Sequence, residues 1–190
     1  KIKHTRNFPI EAIYDCLKIS KIKMNDVDEI AINNDHYRMI KKLYIEPALK
    51  DRNRLKFLID DIERIKIYDR IKSLVSEKLN FKKKISEHRH HYCHLTSAYY
   101  PSGFNKTLII SNDGIGENES GMIAIGNNGK ISIKDTGPNF PHSLGLFYSA
   151  LTFFLGWRHH CDEGIIMGLA PFGNPYTYHK GKRFTDYFRD

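Results

Sequence analysis

Three histidines fall within five positions near the middle of this 190-residue chain, in the segment HHYCHLTSAYYPS that begins at His90. On a helix, His90 and His94 lie on the same face with their Cβ atoms about 5–6 Å apart, so both rings can bind one metal ion. His91 points to another face. The segment lacks the glutamate of the His-Glu-x-x-His motif, which argues against a zinc protease. A solvated helix face explains the same pattern without any ion.

A metal ion needs more than two protein ligands, and Asp113 is the candidate for a third. It directly follows the β-branched segment KTLIISN, which predicts a buried strand over 106–112. Ligand sites of open α/β sheets lie at the carboxyl ends of strands. Gly114 and Gly116 leave room for a close backbone approach to a ligand. An ordinary turn aspartate explains Asp113 as well, so the residues alone leave both interpretations open.

A second group of potential ligands, HHCDE, runs from His159 to Glu163. The side chains of consecutive residues diverge, so they seldom bind one ion together. We interpret this segment as a loop.

The composition predicts a globular protein of the cytoplasm. Its hydrophobic fraction is 41%, enough for a core, and no apolar run approaches the roughly 18 residues of a membrane span. The first residues lack the apolar segment of a secretory signal. Cys16, Cys93 and Cys161 are far apart and odd in number, which suits a reducing compartment better than a disulfide framework. We therefore expect a cytoplasmic location and no membrane contact.

The chain carries a net charge of +8, and its lysines and arginines concentrate in the first half. A basic surface suggests an anionic partner: a nucleic acid, a phosphorylated substrate or a nucleotide. Acidic residues interrupt the basic runs, however, and no aromatic RNA-binding motif occurs. A lysine-rich solvated surface is the simpler account, and it disfavours nucleic acid as a partner.

The first half of the chain predicts mostly helices. Pro9 is a plausible start for a helix with an apolar stripe. Short strands are predicted around Glu29–Ile32 and at 83–87. Between them, residues 36–79 have apolar residues at three- and four-residue spacing, which predicts helices broken or kinked at Pro47.

The second half predicts hairpins. The strand at 106–112 is followed by strands at 121–126 and 130–134, joined through Asn128-Gly129, because Asn-Gly tolerates the positive φ of a tight turn. The whole pattern indicates an α/β fold with a mixed sheet built on hairpins. It differs from the βαβαβ order of dinucleotide-binding folds, and no Walker phosphate-binding motif is present.

A long apolar helix is predicted over residues 143–157, with Ser143 as its N-cap. The three- and four-residue spacing of its large apolar side chains predicts one core-facing side. That side comprises Leu144, Phe147, Leu151 and Leu155.

Four ordered motifs of the chain resemble those of the nodulation-protein U-like O-carbamoyltransferases. They read HHYCHLTSAYYPSGF from His90, LIISNDGIGE from Leu108, FPHSLGLFYSALTFFLG from Phe140 and EGIIMGLAPFG from Glu163. The opening KHTRNFPIEAIYDCLKIS, from Lys3, is also similar to that family's pattern. The resemblance runs across nearly the whole chain.

The resemblance implies an actin-like ATPase (ribonuclease H-like) superfold, a mixed sheet with flanking helices and a helical insertion at about 36–79. It implies that carbamoyl phosphate and ATP form carbamoyl adenylate in a second domain. The carbamoyl group then moves to a hydroxyl of a sugar, glycolipid or antibiotic acceptor. Residues 1–190 would be an incomplete part of the N-terminal transfer domain, inactive alone, with the adenylating domain beyond residue 190.

The resemblance implies that His90, His94 and Asp113 hold a divalent ion, iron or zinc, with a fourth ligand beyond residue 190. It also implies that Lys3 contacts the reacting ligand.

Two further acidic residues are expected near the reaction. We expect Glu117 or Glu163 to order the acceptor hydroxyl, and we assign the catalytic role to Glu117. We group Glu163 with Gly114 and Gly116 as residues that bind the nucleotide cofactor.

Two alternative functions stay open. A tRNA-modifying transferase of the threonylcarbamoyl type is favoured by the basic surface, whereas the FPHSLG and MGLAP segments favour carbamoyl transfer. A non-catalytic nucleotide-binding module of the same fold is the other.

Overall fold

A computed structural model describes residues 7–188, and the chain divides after Leu146 into two compact units. Helices and small sheets make up the fold, which is α/β as predicted. The actin-like ATPase superfold stays a prediction. Within residues 7–188, no helix is long and apolar enough to cross a membrane.

The strands within residues 7–188 form three small sheets. β1 and β2 pair in parallel, β3, β4 and β5 form an antiparallel sheet in that order, and β6 and β7 form a short hairpin. The bounds are Glu29–Ile32 (β1), Lys84–Glu87 (β2), Lys106–Asn112 (β3), Gly121–Asn127 (β4), Lys130–Asp135 (β5), Tyr178–His179 (β6) and Lys182–Arg183 (β7).

The single mixed sheet expected from the sequence is not observed among residues 7–188, because parallel and antiparallel pairings occur in separate sheets. The reason lies in the connections. β1 and β2 are linked by the long helical segment, which a parallel crossover requires, while short turns pair the later strands with their neighbours along the chain.

Nine α-helices occur within residues 7–188, and five of them lie between positions 36 and 79, where helices were predicted. A π-helical turn at Lys41–Ile45 leads into the helix that contains Pro47. The α-helix bounds are Ile10–Ile19 (α1), His36–Ile40 (α2), Glu46–Lys50 (α3), Leu55–Asp60 (α4), Ile62–Asp69 (α5), Ile71–Leu79 (α6), His90–Tyr99 (α7), Leu144–Phe154 (α8) and Glu163–Leu169 (α9).

One apolar cluster joins α1 and α6 to the parallel sheet. Val75, Leu79 and Phe81 are buried at its centre, and Ile13 of α1 and Ile30 of β1 pack against them. Ile85 of β2 also packs against them, so the cluster holds both strands of the parallel sheet against the helices.

Helix α7 lies on the antiparallel sheet through a second cluster. His91, Leu95 and Tyr99, spaced by four, are 1%, 0% and 4% exposed. Leu95 and Tyr99 share this cluster with three sheet residues, Ile109, Met122 and Ala124. Because this stripe faces the sheet, His90 and His94 lie on the adjacent stripe of the same helix.

The β4–β5 hairpin confirms the turn predicted from Asn128-Gly129. Asn128 has a φ of +47° and Gly129 a φ of +76°. Positive φ at both central residues matches the right-handed twist of the flanking strands.

The predicted core face of α8 is wrong. The helix forms at Leu144–Phe154 and ends earlier than expected, but Leu144 is 71% exposed and Phe147 is 53% exposed. Leu151 and Leu155 are also exposed, whereas Ser149 and Thr152 are buried. Spacing identifies which side of a helix is apolar, but it does not identify what lies against that side.

We expect Leu95→Ala to lower the free energy of unfolding by about 2–5 kcal/mol, because it removes a fully buried side chain and leaves a cavity between α7 and the sheet. Leu49→Ala is the matched control: Leu49 is 81% exposed, so its loss should change that free energy by no more than about 0.5 kcal/mol. Urea unfolding followed by circular dichroism measures both. Equal effects would contradict the assignment of this core.

Candidate metal site

His90, His94 and Asp113 converge on one point, as predicted for a metal site. Asp113 Oδ2 lies 2.9 Å from His90 Nε2 and 3.2 Å from His94 Nε2, and the two Nε2 atoms are 3.0 Å apart. Within residues 7–188, these three form the only group of three or more His, Cys, Asp or Glu residues spaced to hold an ion. Helix α7 supplies both rings, and the end of β3 supplies the carboxylate.

Hydrogen bonds from Gly114 and Ser143 fix the Asp113 carboxylate and the backbone beside it. Its Oδ1 accepts a hydrogen bond from the backbone N–H of Gly114 at 2.6 Å. The hydroxyl of Ser143 donates to the backbone carbonyls of Asp113 and Gly114, at 3.1 and 2.6 Å. The oxygen Oδ2 is therefore the one directed at the two rings.

Burial alone would raise the pKa of Asp113. Hydrogen bonds with His90, the Gly114 amide and His94 outweigh this effect and hold the pKa below its usual range. An ionised carboxylate at neutral pH is the form that binds a cation.

The donor set fits a divalent transition metal. A tetrahedral zinc ion holds neighbouring N and O donors about 3.3 Å apart, and the three observed separations are 2.9 to 3.2 Å. A slight opening of the side chains therefore admits an ion. Two imidazoles and one carboxylate suit zinc and iron, and they leave coordination positions for further ligands. Side-chain exposures of 48% for His94 and 45% for Asp113 leave the site open to solvent.

His91 plays a different part from its neighbours. Its Nε2 lies 2.9 Å from the carbonyl oxygen of Glu119, which can only accept, so Nε2 carries the proton. Nδ1 then accepts from the hydroxyl of Ser111 at 3.1 Å. Burial lowers the pKa of His91. The ring is thus a neutral part of the α7–sheet contact.

Two buried glutamates beside the site were not recognised as structural residues from the sequence. Glu117 is 1% exposed and accepts the backbone N–H groups of Asp35 and His90 at 2.9 and 2.8 Å. Glu119 is 2% exposed and forms ion pairs with Arg38 and Arg89. These contacts place Glu117 inside the protein, where it faces backbone amides. Its expected role in ordering an acceptor stays a prediction.

The two glycines after Asp113 allow close contacts within the protein. A Cβ on Gly116 would lie 2.9 Å from the His91 ring and 3.2 Å from His90 Cβ. Gly114 is approached by Gly145, where a Cβ would lie 2.7 Å from Gly114 Cα. Any side chain at Gly116 would displace α7, so this glycine sets the distance between the helix and the Asp113 loop. Cofactor binding by both glycines stays a prediction.

The remaining predicted site residues lie elsewhere. Glu163 begins α9 and accepts a hydrogen bond from the hydroxyl of Ser149 at 2.6 Å and another from the His160 amide. Its cofactor role stays a prediction. Lys3 lies outside the described residues.

A family model described as the N-terminus of carbamoyltransferases matches residues 1–187 of the chain. The match includes α7, the end of β3 and all three residues of the candidate site.

Several relatives are longer proteins. The chain is 30% identical to nodulation protein NolNO of Sinorhizobium fredii over 178 residues, which is 92% of this chain and 25% of the relative. It is 40% identical to nodulation protein NolO of Bradyrhizobium diazoefficiens over 89 residues, covering 47% of this chain and 16% of the relative. An uncharacterised Synechocystis protein is 30% identical over 91% of this chain and 29% of its own length. The chain therefore spans less than a third of these relatives.

We expect the full-length protein to bind a divalent ion through His90, His94 and Asp113. Alanine at any of these positions removes a ligand and should weaken Zn²⁺ binding by about 10-fold or more. His88→Ala is the control, because His88 is exposed and its ring lies 2.9 Å from the hydroxyl of Ser86. Calorimetric titration with Zn²⁺ measures the affinity. Unchanged binding in all three ligand variants would contradict the site.

Proposed function

This chain belongs to the carbamoyltransferase N-terminus family, and from that premise we propose that its protein transfers a carbamoyl group to a hydroxyl of an acceptor molecule. The observation that carries the proposal is the convergence of His90, His94 and Asp113 within a chain that matches this family almost end to end. A two-histidine, one-carboxylate site at a strand end suits transfer chemistry on a carbonyl group.

The proposed donor is carbamoyl adenylate, made from carbamoyl phosphate and ATP by another part of the full-length protein. The acceptor oxygen forms a bond to the carbamoyl carbon. The bond from that carbon to the adenylate phosphate oxygen breaks, AMP leaves, and the acceptor hydroxyl loses its proton. The resonance of the carbamoyl group makes its carbonyl a poor electrophile, so the reaction needs polarisation and positioning.

The residues of this chain contribute the positioning. His90, His94 and Asp113 would hold a divalent ion of the iron or zinc type. When bound, such an ion supplies Lewis acidity that polarises a carbonyl or phosphate oxygen. Gly114 fixes the Asp113 carboxylate through its amide, and Ser143 fixes the backbone on which that carboxylate stands. The open side of the site, toward His94 and Asp113, is where donor and acceptor would enter.

The proposed acceptors are hydroxylated small molecules or glycans, namely a sugar, a glycolipid or an antibiotic. The proposed setting is the cytoplasm, where carbamoyl phosphate and ATP are available. Lys3, at the start of the matched family segment, is proposed to neutralise phosphate charge on the donor.

A tRNA-modifying activity of the threonylcarbamoyl type is the second candidate, and the net charge of +8 favours it. RNA that remains bound to the purified full-length protein, followed by threonylcarbamoyl transfer, would replace the first proposal.

We expect the full-length protein to transfer label from radiolabelled carbamoyl phosphate, with ATP, to members of a panel of sugar, glycolipid and antibiotic acceptors. Asp113→Asn should lower this activity about 100-fold or more, because a neutral amide is a much weaker ligand for a divalent ion. The 190-residue chain alone should show no turnover, because the adenylate would be made by another part of the protein.

The matched control for this experiment is Asp135→Asn, which makes the same change at the exposed end of β5. Its activity should equal that of the unmodified protein. Full activity of Asp113→Asn, or turnover by the isolated chain, would contradict the proposal. A full-length protein that binds nucleotide but carbamoylates no acceptor in the panel would favour a non-catalytic module.

A further inference from the structure

We propose that Glu117 is a positioning residue, which fixes the ring of His90 through the loop Asn33–Asp35 and the first turn of α7. This inference rests on the metal site proposed above. It differs from the contact with an acceptor hydroxyl that the sequence suggests for Glu117.

The first observation concerns how His90 is oriented. Its Nδ1 lies 3.3 Å from the backbone carbonyl oxygen of Asn33, in the loop after β1. A carbonyl oxygen can only accept, so Nδ1 carries a proton in this contact, and His90 would bind an ion through Nε2, in place of the hydrogen bond between Nε2 and Asp113. A histidine ligand commonly depends on such a contact at its other ring nitrogen.

The second observation is that one carboxylate oxygen joins both sides of this contact. Glu117 Oε1 accepts the N–H of Asp35 at 2.9 Å and the N–H of His90 at 2.8 Å. Asp35 lies two residues after Asn33 and is itself the N-cap of α2. Glu117 therefore holds two parts of the chain. One is the loop that orients the His90 ring, and the other is the backbone of His90 itself.

The third observation concerns the N-cap position of α7. The residue at the N-cap position, Arg89, makes no side-chain capping hydrogen bond. Glu117 provides the acceptor instead, and its negative charge interacts favourably with the positive end of the helix dipole. Glu117 is only 1% exposed, so the protein encloses its carboxylate, which accepts the N–H groups of Asp35 and His90.

The fourth observation links Glu117 to Asp113. The two residues are four positions apart in one loop, whose Gly116 lies against His90 and His91. One short segment thus supplies the carboxylate ligand and the group that positions the opposing imidazole. Loss of the Glu117 side chain should leave Asp113 in place and release His90.

The test uses Co²⁺ in place of the native ion in the full-length protein, because the visible spectrum of bound Co²⁺ reports ligand geometry as well as affinity. Glu117→Ala should weaken Co²⁺ binding by about 10- to 100-fold and alter the spectrum of the bound ion. Glu117→Gln keeps an oxygen at Oε1 and should restore both affinity and spectrum. Glu117→Asp draws the carboxylate back by one methylene and should behave like Glu117→Ala.

Glu87→Ala is the matched control. Glu87 also accepts a backbone N–H at a helix start, that of His36 at 3.3 Å, and it pairs with Lys72. Its loss should lower the melting temperature and leave Co²⁺ affinity and spectrum unchanged. A general effect of lost stability would instead change the metal site in both variants.

The outcomes separate this inference from the function proposed above. Wild-type protein that binds no Co²⁺ would overturn the metal site and the role of Glu117 together. Wild-type protein that binds Co²⁺, with Glu117→Ala matching it in affinity and spectrum, would overturn the role of Glu117 alone. If Glu117→Ala does not fold, Glu117→Asp and Glu117→Gln decide the question: equal behaviour of these two variants would overturn the inference.

Discussion

The contact between α7 and the antiparallel sheet determines where His90 and His94 lie relative to Asp113. Leu95 is fully buried against β3 and β4, and with His91 and Tyr99 it forms the stripe that faces the sheet. Because an α-helix turns by about 100° per residue, a buried 91–95–99 stripe places 90 and 94 along its border. The border stripe faces the end of β3, where Asp113 follows the last strand residue. A rotation of α7 by one residue, about 100°, would turn both histidines away from Asp113 together.

The outline of the candidate site was predictable from the sequence, because its signals are local. The arrangement of a histidine pair spaced by four depends only on the geometry of one helix. The position of an aspartate directly after a β-branched run depends only on the end of one strand. The contacts that support the site are not local. Glu117 is 82 residues from Asp35, and His90 is 57 residues from Asn33. Helix and strand periodicities do not identify contacts between residues so distant in the sequence. The sequence therefore shows Glu117 only as an acidic residue close to Asp113.

The same distinction explains how the fold departed from expectation. The strands at β1 and β3 and the Asn128-Gly129 turn were predictable from residues that adjoin each other in the chain. The division into separate sheets depends on which strand edges meet. The exposed apolar side of α8 depends on what packs there. Both are properties of the tertiary structure, which periodicity does not describe.

A cluster of three charges lies next to the site: Glu119 is buried, and its partners Arg38 and Arg89 are partly exposed. Burial raises the pKa of Glu119, but hydrogen bonding and charge attraction from Arg38, together with Arg89, hold it below its usual range. Arg38 belongs to α2 and Arg89 immediately precedes α7, so the cluster connects the helical segment to the start of the histidine helix. Such a connection suits a loop that must hold both Asp113 and Glu117.

The neutral, enclosed ring of His91 has a consequence for genetics. A mutational scan scored by activity at one restrictive temperature would group all three histidines together, and the HHxxH pattern would then look like a single functional unit. The His91 ring stabilises the contact between α7 and the sheet through its hydrogen bonds with the Ser111 hydroxyl and the Glu119 carbonyl. Alleles at His91 should therefore be temperature-sensitive and open to rescue by compensating changes in the core. Alleles at His90 and His94 should be defective at every temperature, and no suppressor within the core should restore them.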